Sequence, residues 1–346
     1  MDLWILNEDL QRRGIIDTAS SIIWANRFRQ CGDFEIYVPM STEVAELLKV
    51  DNFVMREDDE MVGIIERVEI TTNEESGDFL LVSGRCARSI LGRRIVWEQT
   101  VYDTSVEIVL RSLIQDAFIS PALSARKCDK LTLAPGRGYI DQVKVQYTGD
   151  NLLEAVEKLC TAYNYGFKMT RDTGRLMVDF YKSENRTAGQ SVNPRVIFSE
   201  TYDNLVATDY VLDKTAYKSV ALVAGEGEGS NRRRTVVERG VDTTGLHRRE
   251  VFVDARDISS NEGEITDDVY MAQLTARGTT ALGEAPCVQS FEGTVEPRQM
   301  YTYKVDYFLG DMVTVINKYG IQADAQVLEV VETWDENGYT CTPTFG

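Results

Sequence analysis

The 346-residue chain contains no apolar run of about eighteen residues, so no helix in it is long enough to span a bilayer. It also lacks a secretory leader. Met1-Asp2-Leu3-Trp4-Ile5-Leu6-Asn7-Glu8 carries acid where a signal peptide carries base, and its apolar stretch is too short for an h-region. These absences predict a protein made and folded in a cytosol, without Sec-type export and without a membrane anchor. Histidine is all but missing, with His247 the single example. A Ser-His-Asp or Cys-His centre would have to use it. Its surroundings, Gly245-Leu246-His247-Arg248-Arg249-Glu250-Val251, read instead as the lead-in to a strand, and no Gly-x-Ser-x-Gly elbow occurs. His247 is therefore assigned a structural role. Paired cysteines are absent too. Cys31, Cys86, Cys128, Cys160, Cys287 and Cys341 are scattered with no Cys-x-x-Cys, which predicts free, mostly buried thiols and no zinc site. Basic charge is short: 37 Lys and Arg stand against 55 Asp and Glu, a net charge of −18. Such a surface repels phosphate backbones, which argues against a protein that grips nucleic acid. It also keeps the chain soluble until it meets a partner.

The remaining candidate motifs favour structural readings. Gly225-x-Gly-x-Gly229 has no following Lys-Ser/Thr and lies between two strands, so it is neither a P-loop nor a dinucleotide fingerprint. A long flexible hairpin tip fits it better, with Arg232-Arg233-Arg234 as a solvated arm behind it. Glu57-Asp58-Asp59-Glu60 lacks the alternate ligands and mid-loop glycine of an EF-hand, and is expected to be a solvated loop or a wall facing something anionic. Carboxylates are abundant, but none is singled out as a hydrolytic pair. Asn185-Arg186-Thr187 fits the glycosylation pattern, which means nothing without secretion. No catalytic, cofactor-binding or metal-binding residue is assigned, and no cofactor is expected.

What is present is strand alternation interrupted by four helical stretches. Residues 1–95 read mainly as strands, including Ile22-Ile23-Trp24-Ala25 and Phe34 to Pro39. Ser41 is placed as the cap of a short helix bearing Val44, Leu47 and Leu48 on one face. Gly63 to Ile70 and Phe79 to Gly84 form a hairpin about a turn at Glu74–Asp78. Residues 96–190 read as an α+β unit. Thr104-x-x-Glu107 is a capping box ahead of Val106, Val109, Leu110, Leu113, Ile114, Ala117 and Phe118 at helical spacing, with Pro121 just past the end. Asn151 opens a second helix carrying Leu152, Ala155, Val156, Leu159 and Tyr163, followed by Gly166. Asp172-Thr173-Gly174 joins two further strands. Residues 191–346 return to strands at Ser219–Ala224, Arg234–Glu238, Gln289–Val295, Asp311–Asn317, Gln322–Thr333 and Tyr339–Phe345. One helix over about Asp267 to Leu282 interrupts them. Trp334-Asp335-Glu336-Asn337-Gly338 is read as a tight hairpin turn on its Asn-Gly pair.

Three stretches carry a family resemblance. They are Gly84-Arg85-Cys86-Ala87-Arg88-Ser89-Ile90-Leu91-Gly92-Arg93-Arg94-Ile95, then Gly245 to Asp257, then Tyr303 to Val315 with its Leu309-Gly310-Asp311-x-Val313-x-Val315 lead into the last sheet. In these stretches and in the order of its segments the chain resembles the tail-hub proteins of siphophages, a family that includes prophage endopeptidase-like tail proteins. The resemblance implies a mainly β fold with an α+β insert: two β-barrel-like modules plus a small α+β domain. It implies a structural, non-enzymatic subunit of a phage or prophage tail tip or baseplate hub, whose ring closes or continues the tail tube. Three copies with two barrels each would place six barrels around a pore, so a homotrimer is expected. The distal tail and tape-measure proteins are the expected partners. DNA would pass through the ring without specific binding, along an acidic wall, with the Arg-rich arm pointing away from it. The location is the virion tail, assembled in the host cytoplasm. The chain stops where the hub fold is expected to stop, so lytic activity implied by family names is not expected here. The alternatives are a tail-associated cell-wall hydrolase and a carbohydrate-binding tail module.

Overall fold

The N-terminal alternation resolves into seven strands. They are β1 (Leu3–Leu6), β2 (Arg12–Ile16), β3 (Ser21–Arg27), β4 (Asp33–Pro39), β5 (Phe53–Arg56), β6 (Val62–Asn73) and β7 (Gly77–Cys86). The protein is described from a computed structural model, which covers residues 1–73, 77–295 and 300–346. Of the turn read at Glu74–Asp78, residues 74–76 lie outside the described residues. Strand β4 shows the pattern plainly, with Phe34, Ile36 and Val38 buried and Glu35 and Tyr37 outward. The short helix α1 (Thr42–Leu47) is capped as expected, Ser41 Oγ accepting from the Val44 amide at 3.1 Å.

The middle of the chain is α+β, in the order β8 (Thr100–Ser105), α2 (Val106–Ile114), β9 (Leu131–Leu133), β10 (Gln142–Tyr147), α3 (Leu152–Tyr163), β11 (Gly166–Asp172) and β12 (Arg175–Tyr181). The apolar stripe of α2 is buried throughout, and a π-helical turn over Gln115–Ile119 extends it to Ser120. The capping box is corrected. Thr104 lies in β8, the cap is Ser105, and the Glu107 carboxylate accepts instead from the amides of Arg137 and Tyr139 at 2.5 and 2.8 Å. Asn151 caps α3 as read. That helix ends on Asn164 at φ +56°, and Gly166, past its end as read, opens β11.

The remainder comprises β13 (Ile197–Ser199), β14 (Leu205–Asp213), β15 (Val220–Ala224), β16 (Arg234–Glu238), β17 (Glu250–Asp254), α4 (Asp267–Gly283), β18 (Val288–Val295), β19 (Met312–Ile316), β20 (Gln322–Asp335) and β21 (Gly338–Phe345). The final hairpin turns through Glu336-Asn337, with Asp335 opposite Gly338, so the expected Asn-Gly pair is shifted by one position. Strands β16, β15 and β17 form a small sheet of their own, and Tyr270 and Leu274 of α4 pack into its core.

The main sheet runs β14-β18-β21-β20-β3-β4-β7-β6-β5-β1-β2. The two ends of the chain therefore meet in its middle, where β20 pairs with β3 from Glu329–Arg27 to Trp334–Ile22. The mainly β class with an α+β insert agrees with expectation, but neither β module closes on itself. The β20–β3 joint links the two modules into one open path, from which β19 and β13 branch at β20. Separate apolar cores lie under its two halves, around Trp24, Phe34 and Ile36 and around Phe198, Phe291 and Phe345. Each fully buried side chain of this size stabilises the fold by about 1.5–3 kcal/mol.

Candidate functional site

A cavity of about 700 Å³ opens where the three parts of the chain converge. Its wall includes the acidic loop after β5, the ends of β11 and β12, and the segment Tyr303–Asp311. Glu57, Asp58 and Glu60 of the acidic loop are exposed, as a solvated loop would be, but the Asp59 side chain is enclosed. Asp59 Oδ2 accepts from Asn26 Nδ2 and from Lys304 Nζ, each at 2.8 Å. Lys304 also reaches Glu332 at 2.9 Å. Arg56, with a fully buried side chain, forks onto Asp58 and onto both oxygens of Glu332, at 2.9 and 3.2 Å for the latter. The guanidinium carbon lies 4.0 Å from the Trp334 ring centroid. Burial alone would lower the Arg56 pKa, but the carboxylates of Asp58 and Glu332 overcome it and hold the group charged. Asp58 is itself held below the usual carboxylate range: burial opposes ionisation, and Arg56 outweighs it. The cluster thus ties β5 to β20 across the sheet.

The resembling motifs acquire physical reasons at this junction. In Leu309-Gly310-Asp311, Gly310 has φ +95°, and a Cβ there would come within 2.3 Å of the Phe28 ring. Asp311 is nearly buried and accepts from Arg186 Nε at 2.7 Å and from the amides of Glu184 and Phe308 at 3.1 and 3.0 Å. Burial pushes its carboxyl up, and these donors offset that only in part. Arg186, inside the Asn-x-Thr pattern, is thereby a structural anchor. Gly84 allows the β6–β7 bulge, because a Cβ would meet the Ile64 carbonyl oxygen at 1.8 Å. Arg88, fully enclosed, donates to the carbonyls of Arg27, Phe28 and Phe167 and so links β3 to β11. None of these long-range partners was found by sequence reasoning. The only signal was a charged residue inside an apolar or glycine-bearing motif.

The other singled-out residues lie elsewhere. His247 is exposed in the short turn Gly245–His247 ahead of β17, as the lead-in reading expected. The Gly225–Gly229 loop does join β15 to β16, but its base and the arginines behind it are fastened down. A Cβ on Gly225 would lie 2.1 Å from Tyr270 Oη, and the Glu226 amide donates to that hydroxyl at 2.8 Å. Arg232 donates to the carbonyls of Ala224 and Gly225, while Arg233 pairs with Asp267 and stacks 4.0 Å over Tyr270. Only Arg234 of the three is exposed, so the solvated arm is corrected to a pinned turn. All six cysteines are free; Cys86, Cys160 and Cys341 are buried and the other three half-buried. Among the described residues there is no group of three or more His, Cys, Asp or Glu able to hold a metal ion. Among them, too, no helix is long and apolar enough to cross a membrane.

A continuous sheet with charged clamps at its module junction, rather than a nucleophile or a metal centre, is what this geometry offers. The fold is that of phage tail proteins. It is similar to the prophage tail protein gp18 of Listeria monocytogenes, at 10% identity and a TM-score of 0.54 over 99% of this chain and 94% of that one. It is similar to a tail protein of Neisseria meningitidis, at 13% identity and 0.58 over 99% and 95%. It is also similar to the 43 kDa tail protein of prophage MuSo2 from Shewanella oneidensis, at 12% identity and 0.59 over 100% and 98%. The chain belongs to the siphovirus ReqiPepy6 Gp37-like protein family, whose profile matches residues 2–346. A search of curated proteins finds no match.

Proposed function

We propose that this protein is a structural, non-enzymatic subunit of a phage or prophage tail tip or baseplate hub, and that three copies form a ring that closes or continues the tail tube. The observation that carries the reading is the sheet itself. It contains two blocks of four antiparallel strands, β14-β18-β21-β20 and β3-β4-β7-β6, side by side in one chain. A subunit with two such blocks lets a three-fold ring present six, which is what docking onto a six-fold tube requires. Family membership and the shared tail-protein fold support it. In this reading residues 1–95 and 191–346 supply the ring modules, and 96–190 is the insert that braces them. The distal tail and tape-measure proteins are its neighbours in the virion tail, after assembly in the host cytoplasm.

The face of the sheet opposite the cores is set by register. It carries Asp33, Glu35, Glu69, Asp209, Asp213 and Glu329 against Arg27, Arg67 and Arg85. Turned inward, this face is a net acidic wall, which repels the DNA backbone and lets it slide. The test is to count copies in isolated tails by microscopy and mass measurement. Three copies per ring are expected, and a closed dimer or a six-copy ring would overturn the reading. Replacing Glu35 and Glu69 by Lys should slow DNA ejection; faster ejection would remove the acidic wall from the proposal.

A further inference from the structure

The two four-strand blocks agree in more than order. In each, the first hairpin strand carries a bulge against the second: between Ile65 and Arg67 in β6, and between Val327 and Glu329 in β20. Beyond the bulge, Ile65 faces Gly84 and Val327 faces Phe345, so these two pairs superpose in register. One strand further on, Phe34 lies opposite Gly84 and Phe291 opposite Phe345. One further still, Trp24 lies opposite Phe34 and Tyr210 opposite Phe291. Position by position, β14 is therefore the counterpart of β3, and β6 of β20. Inside the chain, β20 and β3 are joined. Their counterparts β6 and β14 are at free edges: β5 pairs with β6 only over Val62–Ile64, and among the described residues β14 has β18 as its only strand neighbour.

The free edges bear the marks of an unmade copy of that joint. In the internal joint Arg27 of β3 faces Glu329 of β20, and the two are ion-paired at 2.7 Å. The corresponding positions are Asp213 of β14 and Arg67 of β6, again of opposite charge but with the signs exchanged. Next to that pair, Asn26 and Val330 are buried in the internal joint, as are Trp24 and Glu332 beyond them. Their counterparts include Leu212, exposed at 56%, and Ile70, exposed at 55%. Two large apolar side chains thus stand in water at the places the internal joint covers.

We propose that β6 of one copy pairs antiparallel with β14 of the next in the register Arg67–Asp213, Val68–Leu212, Ile70–Tyr210 and Thr72–Thr208. The interface is heterologous, head to tail, and repeats the internal joint, so a ring of three copies alternates internal and external joints around one uninterrupted sheet. Main-chain hydrogen bonds supply the affinity, the Arg67–Asp213 pair sets the register, and Leu212 and Ile70 leave water. This inference rests on the ring reading and identifies the strands that make it.

Particles isolated from cells producing the full-length chain test it. Val68→Cys combined with Leu212→Cys should yield disulfide-linked dimers and trimers on oxidation. Thr72→Cys with Leu212→Cys should not, because its partner is displaced by four residues, roughly 13 Å along the strand. Asp213→Arg should reduce ring assembly at least tenfold while leaving the melting temperature of the unassembled chain unchanged. Arg67→Asp added to it should restore assembly. Three-copy rings in which the first cysteine pair fails to link, or in which Asp213→Arg is neutral, would overturn the strand assignment and leave the ring reading standing. Chains that form no ring at all in the tail would overturn both.

Discussion

Two clusters of arginine and carboxylate in this protein have similar chemistry and different surroundings. Arg56, Asp59, Lys304 and Glu332 meet at the module junction, where the side chains of Arg56, Glu332 and Asp59 are 0%, 4% and 5% exposed. Arg232, Arg233, Asp254 and Asp267 meet at the rim of the small β15–β17 sheet, where Asp254 and Asp267 are 41% and 89% exposed. At the junction each charge depends on its partner, because water cannot replace it. At the rim, water replaces a lost partner at little cost. The charged residues that hold the fold are therefore those the long sheet has enclosed.

The largest effect expected from this contrast is at Glu332. Glu332→Ala leaves Arg56 and Lys304 enclosed with too little negative charge and should cost about 3–5 kcal/mol in chemical unfolding. A loss no larger than that of a rim substitution would break the comparison. Asp311→Ala comes next. It takes from Arg186 one of its two carboxylates, leaving Glu184, and strands the amides of Glu184 and Phe308, which should cost about 2–3 kcal/mol. Recovery by Asp311→Asn would be partial, since one amide oxygen can still accept.

The rim sharpens the contrast through pH. Hydrogen bonds from Arg256, ahead of those from Arg232, hold the Asp254 carboxyl down at about 2, against a usual value of 3.8. A depressed carboxyl contributes stability that is complete above 3.8 and is lost as pH falls towards 2. Asp254→Asn should therefore flatten the fall in stability between those values and take the same contribution from neutral-pH stability, an amount that water keeps small at this exposed site. Asp311, raised by burial, acts in the opposite sense: its ionised form costs stability that protonation relieves on acidification. A larger acid sensitivity in the Asp254→Asn variant would contradict the assignment. The smallest effect is at His247, exposed in its turn, where His247→Ala should change neither melting temperature nor assembly. Loss of a hydrolytic activity with the fold intact would show that the residue does chemistry.

Local structure was legible wherever a few adjacent residues decide it. Ser41 and Asn151 cap helices because their side chains reach amides two or three residues on. The Thr173-Gly174 turn follows from the left-handed angles that a two-residue hairpin needs, φ +41° and +80°. Thr104-x-x-Glu107 failed because the Glu107 carboxylate accepts from a second set of donors, the loop amides of Arg137 and Tyr139 about thirty residues away in sequence. Glu57–Glu60 was legible except at Asp59. Three of its residues are exposed, but Lys304 and the network around Glu332, more than 240 residues later, enclose Asp59. The tail-hub resemblance, read from short motifs and segment order, agrees with the family and the fold.

The sequence alone determines most of the helices and many of the strands, the caps of α1 and α3, the acidic balance and the single histidine, because each depends on composition or on neighbours within a helical turn or a hairpin. Which strands lie side by side is a tertiary matter. Strand alternation says which face is apolar but not which edge will meet it, and an edge accepts any partner that offers matching amides and carbonyls. Joining β20 to β3 instead of closing two barrels needed the whole chain, with Arg27–Glu329 and the Arg56–Glu332 clamp drawing its two ends together. That choice left β6 and β14 as the free edges, a fact no local run of residues contains.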